Sequence, residues 1–231
     1  KSSIRQSRLP PVQDSGAQMR LIECQQNTPE WHAARCGKLT ASRVADIMRQ
    51  TKSGVSAMRA TYMAELVAEQ LTGVQEDGFC SADMQHGKDT EDEAALMYAL
   101  ETGSTVARVG FVLHPSLDGS GCSPDRLVNM DGLLQIKCPQ TKNHISALLG
   151  KDIAPDYIKQ MQWEMRCTER QWCDFVSYDP RLPVEMQLHT VRVKRDGGMI
   201  EKMEAAVIEF LSELDETVAK LRGLYALEAA A

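Results

Sequence analysis

The sequence predicts an α/β fold, a mixed central β-sheet flanked by helices in one domain. Three observations carry this reading. Apolar residues recur at helical spacing through the first hundred residues and again after about residue 140. Between those stretches, and near residues 172–194, the pattern changes to short runs rich in β-branched and aromatic residues. The 231-residue chain is 43% hydrophobic and 25% charged, ordinary for a globular protein and long enough for one large domain.

The elements follow in order. Residues 1–20 are poor in apolar residues and carry Pro10-Pro11, which reads as a flexible arm or a cloning remnant. The domain is expected over 21–225, with 226–231 a tail. In "NTPEWHAARCG", Thr28 is placed as N-cap, Pro29 at the first helical position, Glu30 in the first turn and Gly37 past the end. A second helix is expected near Thr40 to Arg49. A third covers Ser56 to Leu71, with Met58, Met63, Leu66, Val67 and Leu71 on its apolar face and Gly73 as its stop. A fourth runs from about Met84 to Thr102, before Gly103. Val106 to His114 reads as a strand. "GCSPDRLVNMDGLLQIKCP" (Gly121 to Pro139) reads as a β-hairpin turning at Asn129-Met130-Asp131-Gly132. Helices are expected at 142–149 and 155–168, the latter opened by Pro155, then strands at Trp172–Tyr178 and Gln187–Lys194. A long amphipathic helix closes the chain, with Ile200, Met203, Val207, Leu211, Leu214, Val218 and Leu221 on one stripe.

Composition narrows the function classes. The seven cysteines are odd in number and form no CxxC pair, which points to reduced thiols in a cytosolic protein rather than a disulfide framework or zinc site. The five histidines are scattered and suggest no ligand pair. No run approaches the length of a membrane helix, and no signal peptide is evident. The net charge of −6 argues weakly against nucleic acid as partner, since a basic lining can coexist with an acidic exterior.

One constellation carries chemistry. Asp125 stands at the head of the hairpin's first strand. Gln135 and Lys137 lie two apart on the second, so both point to one face. Carboxylates and a lysine on neighbouring strand ends are the parts of a Mg²⁺-dependent phosphodiesterase. The hard cation takes oxygen ligands, and the lysine orients or deprotonates the attacking water. The Ile136 carbonyl is a further candidate ligand. In "GKDTEDEAA", Glu91 on the upstream helix can reach the same cation, whereas Asp92 and Glu93 are read as acids favoured in a first helical turn. In "YIKQMQWEM", only one of Gln160 and Gln162 can face the site, because positions two apart diverge on a helix. The position where this chemistry calls for a second carboxylate holds Gln135.

Taken together, "EWHAARCGKLTAS", "GKDTEDEA", "CSPDRL", "LLQIKCP", "YIKQMQ" and "YDPR" resemble, in this order and over roughly residues 25–215, the phage lambda exonuclease family of the PD-(D/E)xK nucleases. The resemblance implies a restriction-endonuclease-like core. It implies a Mg²⁺-dependent 5′→3′ exonuclease, with Mn²⁺ able to substitute, that degrades one strand of double-stranded DNA from a 5′-phosphorylated end. It further implies a homotrimeric ring around DNA, a single-strand annealing protein as partner, and a phage or prophage protein in the bacterial cytoplasm. By the same resemblance Asp125, Gln135, the Ile136 carbonyl and Glu91 surround the metal, Lys137 is the catalytic lysine, and Gln160 is the glutamine of the later helix. Gln135 replaces the family's glutamate, so this chain is expected to be impaired, and the alternative is a DNA-end-binding protein without catalysis. Arg35, Ser42 and Ser123 correspond to the pocket for the terminal phosphate, consistent with an arginine's bidentate grip on such a group. Met84 is offered as a wedge between terminal bases, or as ordinary helix packing.

Overall fold

The computed structural model describes residues 19–51, 54–75 and 82–226. The expectations for residues 1–18, the tail from 227 onward and Cys80 lie outside the described residues. In order the elements are β1 (Arg20–Ile22), α1 (Pro29–Arg35), β2 (Leu39–Thr40), α2 (Val44–Met48), β3 (Gln50–Thr51), β4 (Gly54–Val55), α3 (Ala57–Thr72) and α4 (Ala82–Thr102). There follow β5 (Val106–Ala107), β6 (Phe111–Leu113), β7 (Ser120–Cys122), β8 (Arg126–Val128), β9 (Gly132–Lys137), α5 (Thr141–Leu148) and α6 (Pro155–Thr168). The chain continues with β10 (Trp172–Tyr178), β11 (Leu188–Lys194) and α7 (Gly197–Ala226). None of the described helices is long and apolar enough to cross a membrane.

The predicted α/β class is observed, with the strands divided between two larger mixed sheets rather than one. The first has the order β11-β10-β9-β8-β5, in which β9 and β10 run parallel and the other pairs antiparallel. The second has the order β1-β6-β7-β2, with β2 and β7 parallel. The expected strand Val106–His114 is therefore two strands, one in each sheet. The break is steric: a Cβ on Gly110 would lie 2.5 Å from the Ile22 carbonyl oxygen and 2.7 Å from that of Cys24. The main chain passes too close there for any larger residue, and β6 leaves β5 to pair with β1. The second expected helix is also shorter, because residues 41–43 form a 3₁₀ turn before α2 begins.

The hairpin forms as predicted, with Val128 facing Gly132 and Asn129 at φ 47°. Alternation along β9 decides what each face does. Leu134 and Ile136 turn toward α4, packing with Ala94, Tyr98 and Val176. Leu133 turns toward α6, packing with Met161 and Met165. Gln135 and Lys137 share the parity of Leu133 and so also face α6. A separate core of Leu39, Leu66, Trp163, Met203 and Phe210 joins α3, α6 and α7 to the smaller sheet. On α7 Phe210 is fully buried, as are Met203, Val207 and Leu214, while the predicted Leu211 is partly buried.

Glycine at 132 is required by its neighbour. A Cβ there would meet the Trp172 ring at 2.1 Å. That ring cannot readily move, because the Arg192 guanidinium lies 3.7 Å over its centroid and is itself held by the buried Asp174 carboxylate through contacts of 2.8 Å.

Buried His114 ties the smaller sheet to the helices. Its ring stacks on Trp163 at 5.0 Å, its Nδ1 lies 3.3 Å from the Ser116 N–H, and its Nε2 lies 3.1 Å from Glu204. Burial pushes its pKa down to about 4; the nearby Arg166 charge adds to this and Glu204 opposes it. An unfolded histidine titrates near about 6.5, so the unfolded chain takes up the proton first as pH falls. His114 therefore contributes stability above about pH 6.5 that is lost as pH falls toward 4, up to about 3 kcal/mol. Urea unfolding at stepped pH should show that loss, and His114→Gln should remove its share of the slope.

Candidate nuclease site

The site lies at the Asp125 end of the β8–β9 hairpin, on the face covered by α6. Asp125 Oδ2 accepts two hydrogen bonds across the hairpin, from the Ile136 N–H and from Gln135 Nε2, both at 2.6 Å. Gln135, buried in the strand, accepts in turn from Gln160 Nε2 at 2.8 Å. The same Gln160 nitrogen donates to Glu164 Oε1 at 2.9 Å, one turn further along α6. Asp125, Gln135, Gln160 and Glu164 thus form one chain with a carboxylate at each end and amides between. Both amides turn their nitrogen toward a carboxyl group.

Burial raises the pKa of both carboxyls. Asp125 is pushed up to about 6, with Glu91 adding to burial and Lys137, the Ile136 N–H and Arg126 opposing. Glu164 is pushed up to about 8 by burial and by the Asp125 charge, opposed by Gln160 and Lys137. Its Oε2 is buried with no hydrogen-bond partner. Lys137 places its ammonium 4.9 Å from the Tyr157 ring centroid, at the edge of this network.

The donor chemistry fits a hard divalent cation: every group is an oxygen donor, the carboxyls are under-compensated, and one buried carboxylate oxygen is unmatched. Among the described residues, no three acidic, histidine or cysteine side chains stand close enough to clasp an ion on their own. Neutral oxygens, from Gln135 or the Ile136 carbonyl, would have to complete the set.

Glu91 approaches from the α4 side. Its Oε1 is held by the buried Arg126 at 2.6 Å, and Arg126 also reaches Asp92 and the Asp125 carbonyl. Asp92 bonds Arg108 as well. The expectation that Asp92 and Glu93 are simply first-turn acids is corrected here. α4 begins at Ala82, which puts them in its third turn. There Asp92 bridges two arginines and Glu93 hydrogen-bonds Tyr178. A cavity of about 370 Å³ opens beside Asp125, bordered by Gln25, Gln26, Glu91, Arg108 and Arg126.

A second group of residues stands two positions upstream of Asp125. Ser123 Oγ accepts from Trp31 Nε1 at 2.9 Å and from Arg35 Nη1 at 3.4 Å. The Arg35 guanidinium lies 4.1 Å over the Trp31 ring, and its buried Nε has no partner. Among the described residues no carboxylate pairs with it; Glu69, near enough to act on its charge, is engaged by the Gly37 N–H at 2.7 Å. α1 starts as predicted, with Thr28 capping and Pro29 at the first position. Gln26 braces the intervening loop, donating to the carbonyls of Val109 and Pro124, both at 2.9 Å.

The structure thus gathers Asp125, Gln135, Ile136 and Gln160 into direct contact, with Lys137 and Glu91 close enough to act on the Asp125 charge, and joins Arg35 to Ser123. Gln162 points away, bonding the Lys194 carbonyl and the Asp196 N–H, as the helical spacing requires. Ser42 is exposed in the 3₁₀ turn, where its hydroxyl partner is Thr40 at 3.3 Å rather than Arg35 or Ser123. The Met84 backbone is on α4, but its side chain lies outside the described residues. Sequence reasoning missed Glu164, Arg126 and Trp31. Glu164 carried a signal, since it lies four residues after Gln160 and on the same helical face.

The YqaJ-like viral recombinase domain matches residues 30–171. The chain is similar to an alkaline exonuclease of Laribacter hongkongensis, LHK-Exo, at 49% identity and a TM-score of 0.80, covering 86% of this chain and 98% of that one. LHK-Exo has also been solved in complex with dAMP. A phage-related exonuclease of Haemophilus somnus 129PT has the same fold at 15% identity and a TM-score of 0.62, covering 80% of this chain and 96% of that one. The uncharacterised protein ExoD of Escherichia coli (strain K12) is 32% identical over 65 residues, 28% of this chain and 74% of that protein.

The two arginines on Asp92 should differ in weight. Arg126→Gln leaves Glu91 and Asp92 without their buried cation and should cost roughly 3 kcal/mol in urea unfolding. Arg108→Gln removes an exposed pair and should cost less than about 1 kcal/mol.

Proposed function

The chain belongs to the YqaJ-like viral recombinase family, and on that premise we propose that it is a Mg²⁺-dependent exonuclease, slowed by Gln135, that degrades one strand of duplex DNA in the 5′→3′ direction. The observation that carries this reading is the half-buried Arg35, with no carboxylate partner among the described residues, beside Ser123, two residues from Asp125. An arginine in that state suits a terminal phosphate, which would satisfy its charge and its orphaned N–H together. A 5′-phosphate held there, two residues along the chain from Asp125, would leave the next phosphodiester for the metal site, so that each cut releases a mononucleotide and shortens the strand from its 5′ end. The dAMP bound by LHK-Exo has the size and chemistry of such a product.

Asp125, with Glu91 and the oxygens of Gln135 and Ile136, would hold the cation. When bound, it supplies a Lewis acid that polarises the scissile phosphate. Lys137 orients the attacking water and accepts or shares its proton, and Gln160 keeps Gln135 and Glu164 in register. The reading extends to a homotrimeric ring around the duplex, a single-strand annealing protein that receives the 3′ overhang, and a phage or prophage origin with action in the bacterial cytoplasm.

End binding without cleavage is a second reading. It is favoured by the hydrogen bond from Gln135 to Asp125, which ties down a carboxylate that a cation would otherwise use. One substitution separates the two. Gln135→Glu conserves shape, restores the charge and should raise Mg²⁺-dependent 5′→3′ digestion at least about a hundredfold, roughly 2.7 kcal/mol of transition-state stabilisation. Affinity for DNA ends without metal should change little. Equal digestion by both chains would overturn the assignment of position 135; no digestion by either would favour end binding.

The phosphate pocket has its own check. A 5′-hydroxyl duplex should be digested and bound at least about tenfold less well than its 5′-phosphorylated counterpart, and Arg35→Ala should erase most of that difference. Equal handling of the two ends by the unaltered chain would remove the pocket.

A further inference from the structure

We propose that Glu164 is a ligand for a divalent cation in this site, a second carboxylate delivered by α6 that supplies the charge β9 lacks at position 135. This rests on the metal-dependent reading above and adds a residue to it. Glu164 is 1% exposed and sits between Trp163 and Met165, both fully buried, where an apolar or amide side chain would pack without an ionisable group. Only one of its oxygens is used: Oε1 accepts from Gln160, and Oε2 is buried with no partner. Leaving a buried carboxylate oxygen unmatched is costly, and native structures do so rarely. The helix is well placed to deliver the group. Gln160 and Glu164 are one turn apart, and their common hydrogen bond joins both to Gln135 and through it to Asp125. A hard cation near this chain of oxygens would meet a carboxylate at each end, Asp125 from the hairpin and Glu164 from α6. With Gln135 neutral, those two are the anionic groups on the α6 face of the hairpin that can offset the ion's charge.

The alternative is a structural acid that stays protonated in the core and binds nothing. Mn²⁺ binding to the full-length chain distinguishes the two without relying on DNA cleavage, through loss of the electron paramagnetic resonance signal of the free hydrated ion. Four chains are compared: the chain as it is, Glu164→Gln, Gln135→Glu, and both together. Glu164→Gln should raise the Mn²⁺ Kd at least about tenfold in either background, and Gln135→Glu should lower it. Thermal melts establish that each variant is folded. If Glu164→Gln does not fold, Glu164→Asp takes its place; it keeps the charge but withdraws it by one methylene and should weaken Mn²⁺ binding several-fold. A Kd unaffected by these changes at Glu164, or no Mn²⁺ binding by the chain and its Gln135→Glu variant, overturns the proposal. Failure of the nuclease reading looks different: Gln135→Glu would digest no DNA while Mn²⁺ affinity still depended on Glu164.

Discussion

The strand β9 is hydrogen-bonded on both sides, antiparallel to β8 and parallel to β10, and the rest of the site depends on that double pairing. A strand fixed from both edges cannot slip by one residue without moving Gln135 and Lys137 to the α4 face and Ile136 to the α6 face. The apolar residues resist the slip as well, because Leu134 is committed to Tyr98 and Val176, and Leu133 to Met161 and Met165. Gly132 under the Trp172 ring pins the start of the strand, and the Asp125 carboxylate on the Ile136 N–H pins the other end to its neighbour. The rigid placement of Asp125, Gln135 and Lys137 comes from strand register rather than from loops.

On that frame the electrostatics come down to a count of donors and acceptors. Two buried carboxyls, Asp125 and Glu164, are joined by two amides, and all but one of the resulting contacts are satisfied. A glutamate at 135 would place three carboxyls around the single amide of Gln160, an arrangement that needs a cation to hold together. With glutamine, the Nε2 donor to Asp125 takes over part of a cation's work as a bridge, and the network closes on itself. On the other face Arg126 does the same for Glu91 and Asp92, as a permanent internal counter-charge. Arg35 is the opposite case, a cation with no carboxylate partner among the described residues.

Much of this was legible in the sequence, for identifiable reasons. The hairpin was readable because its turn residues and strand alternation agree, and that alternation alone put Gln135 and Lys137 on one side. Helical geometry required that only one of Gln160 and Gln162 face the site, and the family resemblance picked Gln160. What was hidden depends on contacts distant in sequence. The division into two sheets follows from the approach of Gly110 to Ile22 and Cys24, which no local pattern records. Arg126 looked like a strand residue until α4 brought Asp92 and Glu91 to it, and Asp92 read as a first-turn acid although α4 begins at Ala82, well before it. Trp31 appeared to be an ordinary helix residue, and its role lies in an indole N–H that meets a serine 92 positions away.

The parallel pairing of β9 with β10 has a consequence for how the protein is made. The two strands are separated by α5 and α6, so the hairpin waits for more than thirty further residues before its open edge is covered. The N-terminal elements wait as well, since Trp31 and Arg35 need Ser123, and β1 needs β6. Contacts this far apart close large loops and form slowly, and none can form before its later partner has been made. A nascent chain ending near residue 150 would hold Asp125 and Lys137 but neither Gln160 nor Glu164, and its strand edge would be bare. The network from Asp125 to Glu164 therefore closes only after α6 has been made, and β9 gains its second neighbour only with β10.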